Sequence, residues 1–125
     1  VGADPFQFVQ ITRQLARGRC VALLMDRPYG ANHLLVDFPN GRVPFSTGPA
    51  WLAVLSGSPL VAITTVRLSN GRHRVEAHPP LVPVRLNKSR EEIIEQYTRE
   101  LAAIFRKAIC EYPDQWYQFV PLSPR

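Results

Sequence analysis

What the sequence has little of sets the first bounds. Its 125 residues hold only two cysteines and three histidines, so neither a disulfide framework nor the paired Cys and His spacing of a zinc site can be assembled. Cys20 and Cys110 both have apolar neighbours, and a free thiol in such company is expected to pack as a small hydrophobe. No run approaches the ~18 apolar residues of a membrane span, and the N-terminus has no basic region followed by an apolar secretion segment. A soluble or peripheral, cytoplasm-facing protein is the expectation. A glycine-rich phosphate loop ending in Lys and Ser or Thr is missing, as is an aromatic-basic RNA-binding signature, which disfavours a nucleic-acid partner. Val1 is not preceded by an initiator Met, so the chain is expected to be a piece of something longer.

What is present fits one domain, 1–125, with a core of modest size: 46% of residues are hydrophobic and 20% charged. The formal charge of +5 is concentrated in the middle, where residues 51–88 hold five basic residues against one acidic. That bias suits an anionic partner, whether a phosphate, a nucleic acid or an anionic membrane surface, and does not choose among them.

Most of the functional information lies in residues 20–59. The apolar run 20–25 has strand length and is followed at once by Asp26 and Arg27, which reads as a buried parallel strand delivering two charged groups to its C-terminal end. Open α/β sheets bind ligands at that edge. Upstream, Asp4 and Pro5 can open a helix that carries Phe6, Val9, Leu15 and Ala16 toward a core and stops at Gly18. Downstream, Leu34, Leu35 and Val36 can make a short edge strand, and Phe38-Pro39-Asn40-Gly41 is a turn. Ser46, Thr47, Gly48 and Pro49 then signal the start of a short apolar helix that stops at Gly57. A strand over residues 60–68 follows, which makes a βαβ crossover with the run 20–25.

Asn70-Gly71 predicts a hairpin with a two-residue type I′ turn. That register sets Arg67 directly opposite Arg74 on an exposed basic face. Pro79, Pro80 and Pro83 mark an extended connector. Ser89 to Glu92 is a capping box opening a long helix, whose apolar set Ile93, Ile94, Tyr97, Leu101, Ile104, Phe105 and Ala108 recurs at helical spacing. The expected fold is therefore α/β: a mixed, partly parallel sheet with a βαβ crossover, an antiparallel hairpin and flanking helices.

Five stretches together resemble the bacterial lipid A biosynthesis acyltransferases, the lauroyl and myristoyl transferases of the lysophospholipid acyltransferase superfamily. They are residues 18–26, Asp37-Phe38-Pro39-Asn40-Gly41-Arg42, residues 47–53, residues 56–61 and Tyr112-Pro113-Asp114-Gln115-Trp116, in the family's order and spacing. The closing Pro-Asp-Gln-Trp is the most specific piece. The resemblance covers the C-terminal half of such an enzyme, and so implies half of a glycerolipid-acyltransferase-like fold. It implies a membrane-peripheral protein at the cytoplasmic face of the bacterial inner membrane. It also implies an acyl-carrier-protein or coenzyme A thioester as donor, a glycolipid or phospholipid hydroxyl as acceptor, and no further cofactor or metal. Carried over residue by residue, Asp26 and Arg27 would line the site, and Arg42 with Ser46, Thr47 and Gly48 would face a phosphate or headgroup.

The family's general base is a histidine followed by four residues and then Asp or Glu. This sequence lacks that motif. His33 and Asp37 are separated by three residues and follow the Asp26 strand, and neither His73 nor His78 has a carboxylate at the required place. Position 62 is Ala where the family often has Pro, and Tyr117, Gln118 and Phe119 replace an aromatic and paired arginines. The resemblance thus implies no catalytic residue in this chain. A non-catalytic phosphate- or anionic-lipid-binding module is the alternative.

Overall fold

A computed structural model describes residues 5–28, 31–84 and 87–118. Helix α1 (Pro5–Ala16) precedes a stretch without helix or strand, strands β1 (His33–Phe38) and β2 (Gly41–Ser46), helix α2 (Gly48–Ser56), strands β3 (Ile63–Arg67) and β4 (His73–Ala77), and helix α3 (Arg90–Glu111), which ends in a 3₁₀ turn, Pro113–Gln115. The result is a mixed α/β arrangement of three helices and two antiparallel hairpins, β1–β2 and β3–β4.

The longest element, α3, organises the rest. The expected capping box is complete: Ser89 Oγ accepts the Glu92 amide at 3.2 Å and Glu92 Oε2 accepts the Ser89 amide at 2.6 Å, satisfying two donors that the first turn would otherwise leave open. Its apolar stripe buries Ile93, Ile94 and Tyr97 against Ala50 and Val54 of α2. One turn further on, Leu101 and Ala102 pack with Met25, Val43, Phe45 and Ala62. Removing a side chain of this size from water contributes about 1.5–3 kcal/mol, so this stripe, rather than helix propensity, holds α3 in place. The Tyr97 hydroxyl donates to the Val82 carbonyl at 2.6 Å, fastening the proline-rich connector along the helix.

The β1–β2 hairpin turns through Pro39 and Asn40, with Phe38 opposite Gly41 and Leu35 opposite Pro44. Gly41 sits at φ +138°, which glycine adopts without strain. Phe45 is wholly buried, and Phe38 stacks against both Phe45 and Trp116 at centroid separations of 6.0 and 6.2 Å.

Several expectations need correction. The β3–β4 register is one residue off: Arg67 pairs with His73, and Val66 pairs with Arg74. Asn70 Oδ1 accepts the Arg72 amide, and the Gly71 amide donates to Leu68 O, with Gly71 at φ +79°. This closes a three-residue loop with glycine in the left-handed position instead of a two-residue type I′ turn. Neighbouring strand residues point to opposite faces, so Arg67 and Arg74 do not form one basic face. In α1, Phe6 and Val9 are exposed, and Phe8, Ile11 and Leu15 are the half-buried set; the Asp4 cap lies outside the described residues. Cys20 and Cys110 are both exposed instead of packed. Residues 20–25 form neither helix nor strand, and only Met25 is buried. The parallel ladder and crossover are not shown: β3 pairs with β4 alone, and residues 20–25 belong to neither sheet.

Candidate functional site

The stretch 20–25 ends on Met25, whose carbonyl accepts the Ser46 amide at 2.8 Å. That bond joins the Asp26 turn to the junction of β2 and α2. At the junction Ser46 Oγ accepts the Gly48 amide at 3.2 Å, and Thr47 donates through both its amide and its hydroxyl to the Asn32 carbonyl. Thr47 is the N-cap by position, but the Ser46 hydroxyl does the local bonding. A Cβ on Gly48 would meet Ser46 Oγ at 3.2 Å, which favours glycine there.

The C-terminal segment ties this region to the second hairpin. Trp116 Nε1 donates to Asp26 Oδ2 at 2.8 Å, and Arg27 Nη2 donates to the Tyr117 carbonyl at 2.7 Å. The Gln115 amide bonds both backbone groups of Arg67, accepting its N–H at 2.7 Å and donating to its carbonyl at 3.0 Å. Asp26 is half-buried and Arg27 exposed. The Gln-Trp pair that sequence reading singled out as most specific therefore has a physical role: two adjacent residues hold the ends of two stretches at one rim.

The Ser46–Met25 bond thus sets the backbone just before Asp26 and Arg27 against the start of the Ser46, Thr47 and Gly48 segment, while the Asp26 and Arg27 side chains bond Trp116 and Tyr117. Arg42 is not part of this junction. It lies opposite Asp37 beside the β1–β2 turn, four residues before Ser46, or about 13 Å along a strand. His33 and Asp37 are likewise four residues apart on β1, about 13 Å, so they form no hydrogen-bonded dyad with each other. His78 Nε2 lies 3.1 Å from Thr64 Oγ1. Arg74 donates to the Tyr112 hydroxyl at 3.2 Å and sits 5.9 Å from its ring centroid; the hydrogen bond raises its pKa above the ordinary arginine value. Among the described residues, no three His, Cys, Asp or Glu side chains are grouped to hold a metal ion. Nor is any helix among them long and apolar enough to cross a membrane.

Sequence reasoning missed an apolar groove. A predominantly apolar groove of about 750 Å³ runs between residues 20–26 and β3, with Phe105, Ala108 and Ile109 of α3 along it, Leu15 among its lining and Gln115 and Trp116 at the rim. The two apolar runs were legible. Their separation was not, since pairing them directly satisfies the same hydrophobic pattern.

The family model for bacterial lipid A biosynthesis acyltransferases matches residues 3–122. The chain belongs to that family. No curated protein matches it. Membership in the lipid A acyltransferase family implies an acyl donor and a lipid acceptor in general terms, and an apolar groove beside a polar rim is a setting compatible with such a pair.

Proposed function

We propose that this chain is the C-terminal portion of a membrane-peripheral acyltransferase that moves a fatty acyl group from an acyl-carrier-protein or coenzyme A thioester to a glycolipid or phospholipid hydroxyl. The match over residues 3–122 carries the reading. The acceptor's phosphate or headgroup is assigned to the rim formed by Asp26, Arg27, Ser46, Thr47 and Gly48, supported by the bond from Ser46 to Met25. Arg42, at the far end of its hairpin, is assigned to attraction toward an anionic membrane surface at the cytoplasmic face of the inner membrane.

The same reading makes residues 20–25 and β3 members of one partly parallel sheet, with α2 in the crossover. Gln115 and Trp116 support it. They hold Arg67, at the end of β3, and Asp26, just past residue 25, so the C-terminal ends of both stretches lie at the same rim, as parallel strands require.

Acyl transfer to a hydroxyl at neutral pH needs a positioned base, whose assistance is worth about 10²–10⁴ in rate. The sequence holds no histidine followed by four residues and a carboxylate, so the base is assigned to polypeptide outside this chain. The test is incubation with a dodecanoyl thioester and a lipid A precursor. The 125-residue chain should give background rates, and the natural polypeptide extended upstream should turn over. Turnover by the 125-residue chain alone, lost on His33→Ala, would overturn the assignment of the base; no turnover by either would overturn the acyltransferase reading.

A further inference from the structure

Helix α1 has two faces of different chemistry. Phe8, Ile11 and Leu15 are its half-buried side, whereas Phe6, Val9, Arg13 and Arg17 are exposed and recur at three- and four-residue spacing along the other. Arg17 lies just beyond the last helical residue, but its amide still donates to the Arg13 carbonyl at 3.2 Å, which keeps it on the same stripe. Phe6 and Val9 are 72% and 50% exposed. Residues 5–25 contain Arg13, Arg17 and Arg19 and no Asp or Glu. Among the described residues neither Arg13 nor Arg17 takes part in an ion pair. The neighbouring helix α2 packs beside α1, carries no charge and exposes Trp51 and Leu55, four residues apart.

Other exposed faces differ. Along α3 charges of both signs alternate and pair, as Arg99 does with Glu95 at 2.8 Å, and on β4 Arg74 is held by the Tyr112 hydroxyl with Glu76 two residues on. A surface that sets aromatic and aliphatic side chains beside arginines, with no carboxylate among them, complements an interface that is apolar within and anionic at its edge. A phospholipid bilayer has that profile: rings and aliphatic groups enter the boundary between headgroups and acyl chains, and guanidinium groups on long stems stay level with the phosphates. A nucleic acid would use the arginines for its phosphates and leave the four apolar side chains without a role. A second copy pairing through the same stripe would bring its own Arg13 and Arg17 against these, like charge against like.

We propose that the outward faces of α1 and α2 form a docking surface for an anionic phospholipid bilayer, with Phe6, Val9, Trp51 and Leu55 entering the headgroup boundary and Arg13 and Arg17 bonding lipid phosphates. The inference rests on the membrane-peripheral part of the reading above and not on acyl transfer. It makes attachment a property of one face instead of net charge. Few apolar groups are engaged, so attachment is reversible and weakens as salt screens the arginines.

Co-sedimentation with vesicles of mixed phosphatidylglycerol and phosphatidylcholine at low salt tests it. Arg13→Gln combined with Arg17→Gln should weaken binding about 30-fold, since each basic residue at such a surface contributes about fivefold; Gln is a good helix former, so α1 is kept. Arg72→Gln combined with Arg90→Gln removes the same charge from exposed positions elsewhere and should weaken binding less than about threefold. Val9→Gln combined with Leu55→Gln should weaken it at least about tenfold. In Trp116→Phe, where Trp51 is the sole tryptophan, emission should shift to the blue on the vesicles and be quenched by brominated acyl chains. Equal losses in the two arginine pairs would mean that net charge alone attracts the chain, which overturns the docking surface and leaves the membrane-peripheral reading standing. No binding to the anionic vesicles overturns both. Equal binding to pure phosphatidylcholine, tighter binding to duplex DNA, or a blue shift of Trp51 that rises with protein concentration without lipid each overturns the docking surface as well. Absence of acyl transfer removes the acyltransferase reading and leaves the surface in place.

Discussion

The two sides of α3 differ in completeness. On one side its N-terminal turns close against α2 and the Tyr97 hydroxyl fastens the connector. On the other its C-terminal turns face an open groove whose walls carry Leu24 at 77% exposure and Ile63 at 56%. The closed side is built from segments adjacent in sequence or fastened by side chains within the described residues. The open side has apolar walls, residues 20–26 and β3, with Phe105, Ala108 and Ile109 of α3 along them. The difference sets a closed core beside an open apolar groove among the described residues.

The largest effect should come from the closed core. Ile94→Ala is expected to cost about 2–5 kcal/mol in urea unfolding, since Ile94 is buried against α2. Ile63→Ala should stay within about 0.5 kcal/mol in the 125-residue chain, as for exposed positions generally. Similar costs for the two would erase the contrast between the sides.

Next is the strap at the rim. Trp116→Phe keeps the ring stacked near Phe38 and removes the donor to Asp26. A hydrogen bond to a charged group contributes about 1.5–3 kcal/mol, so a loss near the lower bound is expected at this half-buried site. Gln115→Ala should cost less, about 1 kcal/mol, and accelerate exchange of the Arg67 amide specifically. A Gln115→Ala variant with unchanged Arg67 exchange would mean that the bidentate contact does not persist in solution.

Ser89→Ala tests the start of α3, on the closed side, with an expected loss of about 1 kcal/mol. The smallest effect is in pH. The Ser89 amide, then the Ser89 hydroxyl, hold the Glu92 carboxyl below the ordinary glutamate value. A carboxyl depressed in the folded state stabilises fully above its unfolded value, and that contribution disappears as pH falls through the folded one. A small decline in stability on acidification should therefore be removed by Glu92→Gln and shrink only in part in Ser89→Ala, which keeps the backbone amide. An unchanged acid slope in Glu92→Gln would remove the box as its source.

The same contrast governs how much the sequence disclosed. Helices α2 and α3 were legible because their signals are local: Gly57 terminates one in the left-handed conformation at φ +72°, and Ser89 with Glu92 starts the other. Strand β2 was hidden by Pro44, which reads as a strand breaker yet sits opposite Leu35 in a two-stranded hairpin, where one edge needs no donor. The β3–β4 register turned on a single side chain, Asn70, whose bond to the Arg72 amide belongs to a three-residue loop that the Asn-Gly dipeptide does not distinguish from a two-residue one. The exposure of Cys20 was unreadable because its apolar neighbours imply burial only if a partner strand is present. At the candidate site the strap from Gln115 and Trp116 depends on contacts between positions 48 and 90 residues apart, and no pattern in a single chain announces those.

The most direct test of the contrast is residue-resolved amide exchange on the 125-residue chain by itself. Near-global protection is expected for Ile94, Leu101 and other buried positions of α3, and fast exchange for Ile63, Thr65 and residues 21–24 at every protein concentration. Uniform protection across both walls of the groove would contradict it, because those edges would then already be paired within the chain.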